Sequence, residues 1–194
     1  MNKILLIITG SIAASRCKEI INIIHSKQIK VTCILSKEAK KYLKISEIKK
    51  LLKNRIFTDE VEKKNKMLHI NLSRDNDMVV VCPATANSIA KFANGYGDNL
   101  ASNTLLASNK KILFAPAMNS FMWQNKINQK NVRLLKDIGH EFIGPKVGNL
   151  KCGEFGLGRI DSSKNIVNRI LNRLENINLL KDKKCLVTAG PTIE

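Results

Sequence analysis

The sequence has no apolar run long enough to cross a membrane as a helix. Its N-terminal apolar stretch, Ile4–Ile8, is far shorter than the ~20 residues that a transmembrane helix requires. No small-residue cleavage site follows this stretch, so we expect no secretory signal peptide. The sequence therefore predicts a cytoplasmic protein that has no membrane partner.

Paired cysteines are also absent. The chain has five cysteines, and none belongs to a Cys-x-x-Cys pair: Cys17, Cys33, Cys82, Cys152 and Cys185. An odd number of scattered cysteines is not typical of a disulfide framework or of a zinc site. We therefore predict free thiols, a reducing compartment and no bound metal.

Acidic residues are few. The chain has 16 of them against 33 lysines and arginines, which gives a formal net charge of +17. Such an excess suggests nucleic-acid binding. However, the basic residues are spread from Lys3 to Lys184 and form no compact block with interleaved aromatic residues. We therefore predict no nucleic-acid partner, and expect the charge to attract small anions such as phosphates.

The sequence does contain alternating strand and helix patterns. The predicted strands are Ile4–Thr9, Lys30–Leu35, Met78–Cys82 (closed by Pro83), Lys111–Ala115, Glu141–Ile143 and Lys184–Thr188. The predicted helices are Ile12–Lys27, Lys37–Leu43, Ser46–Lys53 (with Ser46 as N-cap), Thr85–Phe92, Asn99–Ser108, Ser120–Ile138 and Ser162–Leu174. The predicted loops include the charged connection Thr58–Lys66 and the glycine-rich Pro145–Gly158.

This alternation predicts an α/β fold, a Rossmann-like, flavodoxin-type three-layer sandwich with a mostly parallel sheet. We expect one domain over residues 1–180 and a tail over residues 181–194. Ligands of such folds bind beyond the carboxyl ends of the strands. That rule predicts one crevice formed by four segments: Gly10-Ser11, Ser36, Pro83–Ser88 and Pro116–Asn119.

The crevice segments each allow two interpretations. Gly10 permits a tight turn before a helix N-terminus, which suits an anion but is also an ordinary strand–helix turn. The turn is not Gly-x-Gly-x-x-Gly, which argues against a nicotinamide dehydrogenase. Thr85–Ser88 offer hydroxyls and an amide, yet Thr85 also suits an N-cap. Asn119 is either an N-cap or an amide that donates to and accepts from a substrate carboxylate.

Two further residues are candidates for catalysis. His69 lies on a short alternating segment, Leu68–Ser73, where a histidine is structural, solvated or catalytic. Cys152 lies in a glycine-rich loop between Lys151 and Arg159, whose charges favour a thiolate and suit a substrate anion. The glycines are typical of a flap that closes over a ligand, although an ordinary flexible loop with an incidental cysteine has the same composition.

Taken together, these motifs make residues 4–160 resemble the homo-oligomeric flavin-containing cysteine decarboxylases. The matching motifs are Gly10-Ser11-Ile12-Ala13-Ala14, His69, Pro83-Ala84-Thr85-Ala86-Asn87, Gly97-Asp98-Asn99-Leu100, Pro116-Ala117-Met118-Asn119 and Cys152-Gly153 through Gly158-Arg159. Residues 185–194 resemble the opening of a phosphopantothenate–cysteine ligase domain. We expect no ligase activity from this chain, and a ligase would then be a separate partner.

The resemblance implies FMN as the cofactor, and decarboxylation of phosphopantothenoyl-cysteine to phosphopantetheine in coenzyme A biosynthesis. It implies three catalytic residues: His69, Asn119 and Cys152. It implies FMN contacts at Gly10, Ser11, Ile12, Ala13, Ser36, Thr85, Ala86, Asn87, Ser88 and Ala117. It implies substrate contacts at Asn119, Lys151 and Arg159. It also implies a homotrimer or a multiple of trimers, with FMN near a subunit interface.

The implied chemistry is redox-neutral. Oxidation of the substrate thiol to a thioaldehyde creates an electron sink, and loss of carbon dioxide then leaves an enethiolate. Return of the hydride, with a proton from Cys152, gives the saturated thiol. His69 is expected to handle the thiol proton or to order the reacting group, and Asn119 to hold the carboxylate.

Alternatives remain open at this point. Peptidyl-cysteine decarboxylases stop at the enethiol, flavin prenyltransferases share the fold, and a non-enzymatic flavin-binding subunit is also conceivable. A flap that carries Cys152 favours the complete reaction over the first two. The chain departs from the family pattern at four positions, which affects the expected fit of the substrate: Ser15, Arg16, Cys82 and Ile160.

Overall fold

The computed structural model describes residues 1–53, 55–62 and 67–178 of the chain, with the side chains of residues 177 and 178 excepted. The expected strand Lys184–Thr188, Cys185 and the expected tail 181–194 lie outside the described residues. In the described part of the chain, no helix is both long enough and apolar enough to span a bilayer.

A six-stranded sheet forms the centre of the fold. Its strands are β1 (Lys3–Ile8), β2 (Lys30–Leu35), β3 (Ile56–Phe57), β4 (Met78–Ala84), β5 (Ile112–Pro116) and β6 (Glu141–Phe142). All neighbouring strands are parallel, in the order β3-β2-β1-β4-β5-β6. The order reverses between β1 and β4, which is the topological switch point of a doubly wound sheet.

Helices cover both faces of this sheet. They are α1 (Cys17–Ser26), α2 (Ile45–Leu52), α3 (Asp59–Glu62), α4 (Leu68–Arg74), α5 (Ala86–Ala93), α6 (Leu100–Leu106), α7 (Ser120–Gln124), α8 (Lys126–Asp137) and α9 (Ser163–Asn178). Two short 3-10 helices cover Ile12–Arg16 and Glu38–Lys41.

The alternation of side chains along β1 shows how the three layers form. Leu6 packs on one face with α1, α2 and α9, whereas Leu5 and Ile7 pack on the other with α4, α5, α6 and α8. Successive strand residues point to opposite faces, so an apolar run buried on both sides requires helices above and below. The predicted α/β three-layer fold is confirmed.

The prediction of a loop over Pro145–Gly158 was wrong. This segment forms an antiparallel hairpin of β7 (Lys146–Asn149) and β8 (Phe155–Arg159). Its strands contain glycine and few buried apolar residues, so they lack the alternation of apolar and polar residues that predicts a strand. Backbone pairing, rather than burial of side chains, makes this segment a hairpin.

Several predicted boundaries also differ. Pro83 does not close β4, which continues to Ala84. Ser46 is not an N-cap, because α2 begins at Ile45 after Lys44. The predicted helix over Ser120–Ile138 is two helices that break at Asn125, whose side chain accepts the N–H of Ile127 and caps α8.

Two segments have a different secondary structure from the one predicted. The expected loop Thr58–Lys66 contains α3, and the two-residue edge strand β3 before it was not predicted. His69 lies on α4 and not on a short alternating segment. Both segments are too short for a hydrophobic period to identify, so tertiary packing decides their conformation.

The described cysteines divide into one exposed and three buried thiols. Cys17, Cys33 and Cys82 are buried, as expected of small core residues, and Cys152 is exposed. Burial raises the pKa of the Cys33 thiol, and a hydrogen bond with Cys82 followed by burial raises the pKa of Cys17. Because all three of these thiols are buried, Cys152 is the accessible thiol among the described residues.

The environment of His140 predicts that the fold loses a small part of its stability in acid. Its Nδ1 accepts the N–H of Ile112 at 3.1 Å, and burial, together with Arg173, lowers the His140 pKa below its ordinary 6.5. A histidine with a lowered folded pKa stabilises the fold above pH 6.5, and this stability is lost as pH falls through the lowered value. His140→Asn keeps an acceptor that does not titrate.

We expect the free energy of unfolding to fall from pH 6.5 to pH 5 more steeply in the wild type than in His140→Asn. Because the imidazole is partly exposed and therefore screened, the difference should be on the order of 0.5 kcal/mol. Urea unfolding at several pH values measures it. Equal pH slopes in the two proteins would show that His140 does not contribute.

Candidate active site

Two neighbouring cavities lie at the carboxyl edge of the sheet. The first, of about 700 Å³, lies beyond the ends of β1, β2, β4 and β5, and is lined in part by Gly10, Ser11, Ser36, Thr85–Ser88 and Ala117. The second, of about 570 Å³, lies between the first 3-10 helix, the segment after β5 and the β7–β8 hairpin. Ser11, Ala117 and Met118 line both cavities, so the two are contiguous.

The loops after β1 and β2 touch at Gly10. A Cβ at Gly10 would lie 2.3 Å from the Cβ of Glu38, so any larger residue would push the two loops apart. Ser11 Oγ accepts the N–H of Ala13, and Ser36 Oγ accepts the N–H of Ala39, each at 3.3 Å. Both hydroxyls are therefore held at the floor of the first cavity.

The start of α5 forms the opposite wall of the first cavity. Thr85 Oγ1 accepts the N–H of Ser88 at 3.2 Å, so Thr85 is the N-cap that the sequence predicted as one interpretation. The N–H groups of Ala86 and Asn87 lie in the first turn of α5 and have no acceptor within the helix. Since Ala86, Asn87 and Ser88 all line the cavity, this wall presents donors to an anion.

Thr9 is a site residue that the sequence did not single out. Its buried hydroxyl donates to the carbonyl oxygen of Pro83 at 2.6 Å and accepts the N–H of Thr85 at 3.3 Å. These two bonds join the end of β1 to the end of β4 and set the separation of the two loops. Only the spatial adjacency of β1 and β4 reveals this role, because the two segments are far apart in the sequence.

An ion pair lies on the remaining side of the first cavity. Lys91 and Asp98 form an ion pair there, and this hydrogen bond holds the pKa of Asp98 below its ordinary value. Asn99 and Ser102 form a reciprocal capping box at the start of α6 and line the same cavity. The sequence contained these residues in a family motif but did not predict them as site residues.

The first cavity fits FMN in size and in chemistry. Its volume lies within the range of cofactor pockets. The donors at Ser11 and at the start of α5 suit a phosphate, and the hydroxyls of Ser36 and Ser88 suit a polyhydroxyl chain. Ala101, Leu105, Met118 and Met122 provide an apolar wall for a flat ring.

Asn119 links the segment after β5 to the hairpin. Its Oδ1 accepts the N–H groups of Phe121 at 2.8 Å and Met122 at 3.4 Å, so Asn119 is the N-cap of α7. Its Nδ2 donates to Glu154 at 2.5 Å and lies 3.7 Å from Cys152 Sγ. The expectation that this amide both donates and accepts needs correction, because capping already uses the oxygen.

Cys152 lies at the tip of the β7–β8 hairpin. The backbone carbonyl oxygen of Leu150 accepts the N–H of Gly153 at 3.1 Å. The N–H of Leu150 donates to the backbone carbonyl oxygen of Glu154 at 2.8 Å. Gly153 has φ +88°, so this three-residue connection matches a turn followed by a left-handed glycine. Lys151 and Cys152 form the exposed corners of the turn, which presents the thiol to the second cavity.

The base of the hairpin is tightly packed against the segment after β5. Met118 donates its N–H to the carbonyl oxygen of Gly158 at 3.1 Å, and a Cβ at Gly158 would lie 2.2 Å from Met118 O. A Cβ at Gly156 would lie 2.3 Å from Ser120 Oγ. Gly158 allows close approach of backbone to backbone, and Gly156 allows close approach of the Ser120 side chain. Both roles are separate from the mobility that the sequence suggested.

The second cavity is cationic. Lys151 and Arg159, both predicted to contact substrate, line it together with Arg16, which the sequence analysis treated only as a departure from the family pattern. Arg16 ends the first 3-10 helix, and that helix turns its side chain toward the hairpin side of the site. A basic residue five positions after Ser11, at the end of the helix that follows the first strand, is the signal that would have identified it.

His69 is not brought together with the other two predicted catalytic residues. Its Nδ1 lies 2.9 Å from Glu62 Oε1, and both side chains are partly buried. His69 is not among the described residues that line either cavity, whereas Asn119 and Cys152 both line the second. One copy of the chain therefore holds two of the three residues in one place.

The chain is similar to known proteins over most of its length. The chain is 34% identical over its whole length to the coenzyme A biosynthesis bifunctional protein CoaBC of Borreliella burgdorferi, of which it spans about half (50%). It is 32% identical, over 89% of its own length and 98% of the relative's, to the probable phosphopantothenoylcysteine decarboxylase of Streptococcus mutans.

A solved structure has the same fold. It is a cysteine-to-serine mutant of a PPC decarboxylase complexed with pantothenoylaminoethenethiol, with a TM-score of 0.82 and 28% identity. The match covers 90% of this chain and 98% of the other. Residues 1–175 match the description Flavoprotein, and because this match covers most of the sequence, the chain belongs to the Flavoprotein family.

Proposed function

We propose that the protein is an FMN-dependent decarboxylase that converts phosphopantothenoyl-cysteine to phosphopantetheine, a step of coenzyme A biosynthesis. The observation that carries the proposal is the second cavity, where the Asn119 amide and the Cys152 thiol meet beside three cationic side chains. A substrate with a carboxylate, a thiol and a phosphate requires this combination of groups. The similarity to phosphopantothenoylcysteine decarboxylase supports the same substrate.

Asn119 and Cys152 have distinct roles in this proposal. Asn119 Nδ2 donates to the substrate carboxylate and holds it next to the first cavity until carbon dioxide leaves. Cys152 Sγ holds the proton that the product carbon receives, and the hairpin turn presents it above the same amide. Arg16, Lys151 and Arg159 attract the anionic substrate and orient its phosphate.

FMN belongs in the first cavity in this proposal, and it supplies a reversible acceptor of two electrons when bound. Gly10, Ser11, Ser36 and Thr85–Ser88 hold its phosphate and ribityl chain. Ala117 lines both cavities and would contact the flavin ring at their boundary, whereas Ile12 and Ala13, which the sequence assigned to FMN, line the second cavity and not the first. Since the two cavities share Ser11, Ala117 and Met118, a substrate thiol in the second cavity would lie beside the ring.

We also propose that the active unit is a homotrimer or a multiple of trimers, and that His69 of one copy completes the site of another. The separation of His69 from both described cavity linings within one chain supports this arrangement. Glu62 would then fix the orientation of the imidazole through its contact with Nδ1. A ligase partner that supplies the substrate, and a cytoplasmic location, are parts of the same proposal.

The experiment that tests the proposal is carbon dioxide release from phosphopantothenoyl-cysteine by the FMN-loaded protein. We expect a yellow protein with a flavin spectrum that releases carbon dioxide and yields the saturated thiol, as judged by product mass. Release of the enethiol alone would assign the chain to chemistry of the peptidyl-cysteine type. Flavin binding without carbon dioxide release would instead indicate a non-enzymatic flavin-binding subunit.

A further inference from the structure

A carboxylate of the chain already occupies the amide that faces the second cavity. Glu154 lies two residues after Cys152, and its Oε2 accepts a hydrogen bond from Asn119 Nδ2. Capping of α7 holds Asn119 Oδ1, so the amide cannot turn over without loss of its bonds to Phe121 and Met122. The amide nitrogen that Asn119 offers to the cavity therefore already donates to two side chains of the hairpin tip, the Glu154 carboxylate and, at 3.7 Å, the Cys152 thiol.

The second cavity around this contact is suited to the carboxylate of a substrate. The described lining of the second cavity includes Arg16, Lys151 and Arg159 but no aspartate or glutamate. An anion drawn in by these cations still needs a directed donor to hold it next to Cys152, and Asn119 Nδ2 is the amide donor there. Glu154 is exposed and reaches this donor from outside the lining.

We propose that Glu154 is a specificity-determining residue: in the free enzyme its carboxylate occupies the place at Asn119 that the substrate carboxylate takes on binding. This inference rests on the proposed function. Two carboxylates on one amide would place like charges within a few ångströms, which is unfavourable, so substrate binding displaces Glu154. The hairpin tip, residues 151–154, is exposed, and this allows Glu154 to withdraw.

Loss of carbon dioxide then reverses the displacement. The product has no carboxylate, so Asn119 Nδ2 is free again and Glu154 returns to it. The contact between Glu154 and Asn119 is therefore present in the free enzyme and in the product complex but absent in the substrate complex. It lowers the affinity for substrate and leaves the affinity for product unchanged, so an exchange of hydrogen bonds distinguishes the two ligands.

The test compares the FMN-loaded wild type with Glu154→Ala and Glu154→Gln. For each protein, the KM for phosphopantothenoyl-cysteine and the inhibition constant for phosphopantetheine are measured. We expect Glu154→Ala to lower KM by about three- to tenfold, because a charge-assisted but exposed hydrogen bond no longer competes with the substrate. Glutamine keeps a neutral acceptor, so Glu154→Gln should lower KM less. The inhibition constant of the product should not change.

Two further variants serve as controls. Glu175→Ala removes the same charge from an exposed position on α9 and should leave both constants unchanged. Asn119→Ser keeps an N-cap but removes the amide donor, so it should raise KM by itself, and the addition of Glu154→Ala to it should not lower KM. A decrease of equal size in this background would contradict the proposed competition at Asn119.

Other outcomes separate this inference from the proposed function. An unchanged or raised KM in Glu154→Ala overturns the role of Glu154. A parallel decrease in the inhibition constant of phosphopantetheine also overturns it, because such a decrease indicates general charge repulsion between Glu154 and both ligands. No carbon dioxide from the wild type overturns the proposed function instead. In that case, protection of Cys152 from iodoacetamide is compared between N-acetylcysteine and N-acetylcysteamine. The inference then still requires that Glu154→Ala binds only the carboxylate-bearing compound more tightly.

Discussion

Cys152→Ser is expected to change the product that the enzyme releases from the saturated thiol to the enethiol. Serine is nearly isosteric with cysteine, so the hairpin turn and the cavity lining should persist. A hydroxyl is a much weaker acid than a thiol and cannot supply the proton that the product carbon needs. Formation of the saturated thiol should fall by at least about 100-fold, the usual contribution of a general acid. Mass spectrometry of the product, together with carbon dioxide release, measures both steps.

The neighbouring residue of the same turn provides the control for this prediction. Lys151→Gln should raise KM, because it removes a cation from the second cavity, yet the product should remain the saturated thiol. If Cys152→Ser forms the saturated thiol at the wild-type rate, Cys152 is not the proton donor. The buried Cys17, Cys33 and Cys82 offer no matched control, since each substitution would alter the core.

His69→Asn is expected to bind FMN and to lose turnover by about 100-fold or more, in line with the contribution of a positioned acid or base. His69 is absent from the described linings of both cavities in one chain, so we expect it to act in the site of a second copy. Co-expression of His69→Asn with Cys152→Ser should then restore activity. Random mixing leaves about a quarter of the interface sites with both wild-type residues.

The readout for this mixture is release of the saturated thiol, which neither variant forms alone. His25→Asn is the control, since His25 lies at the opposite end of α1 from the site and should retain full turnover. A mixture with no restored activity would show that His69 and Cys152 of the same chain serve one site. Full activity of His69→Asn by itself would instead make His69 a structural residue that pairs with Glu62.

Much of the central fold follows from local patterns. β1 and β4 are continuous apolar runs, which only a sheet covered on both faces can bury, and the five predicted strands that lie in the described residues match β1, β2, β4, β5 and β6 in order. The caps at Thr85 and Asn119 were available as interpretations for the same reason, because a capping side chain bonds to backbone two or three residues away. The meeting of the strand ends in one crevice follows from parallel topology alone.

The hairpin, by contrast, has no local signal. β7 and β8 pair through backbone groups, and their glycines read as a loop until the close packing against Met118 and Ser120 is known. The sequence therefore predicted the reactive thiol of Cys152 from its charged and glycine-rich setting, but not the turn that presents it. Secondary structure stabilised by partner contacts rather than by a hydrophobic period cannot be recognised from its own residues.

The sequence by itself determined the α/β architecture, the crevice at the strand ends and the identity of Asn119 and Cys152 as candidates. These features depend on periodicity and on bonds between near neighbours. Only the tertiary structure decided that Asn119 offers its Nδ2 alone, that Glu154 occupies this donor from 35 residues away, and that His69 lies apart from both. Such relations depend on how distant segments approach one another, and no local pattern encodes that distance.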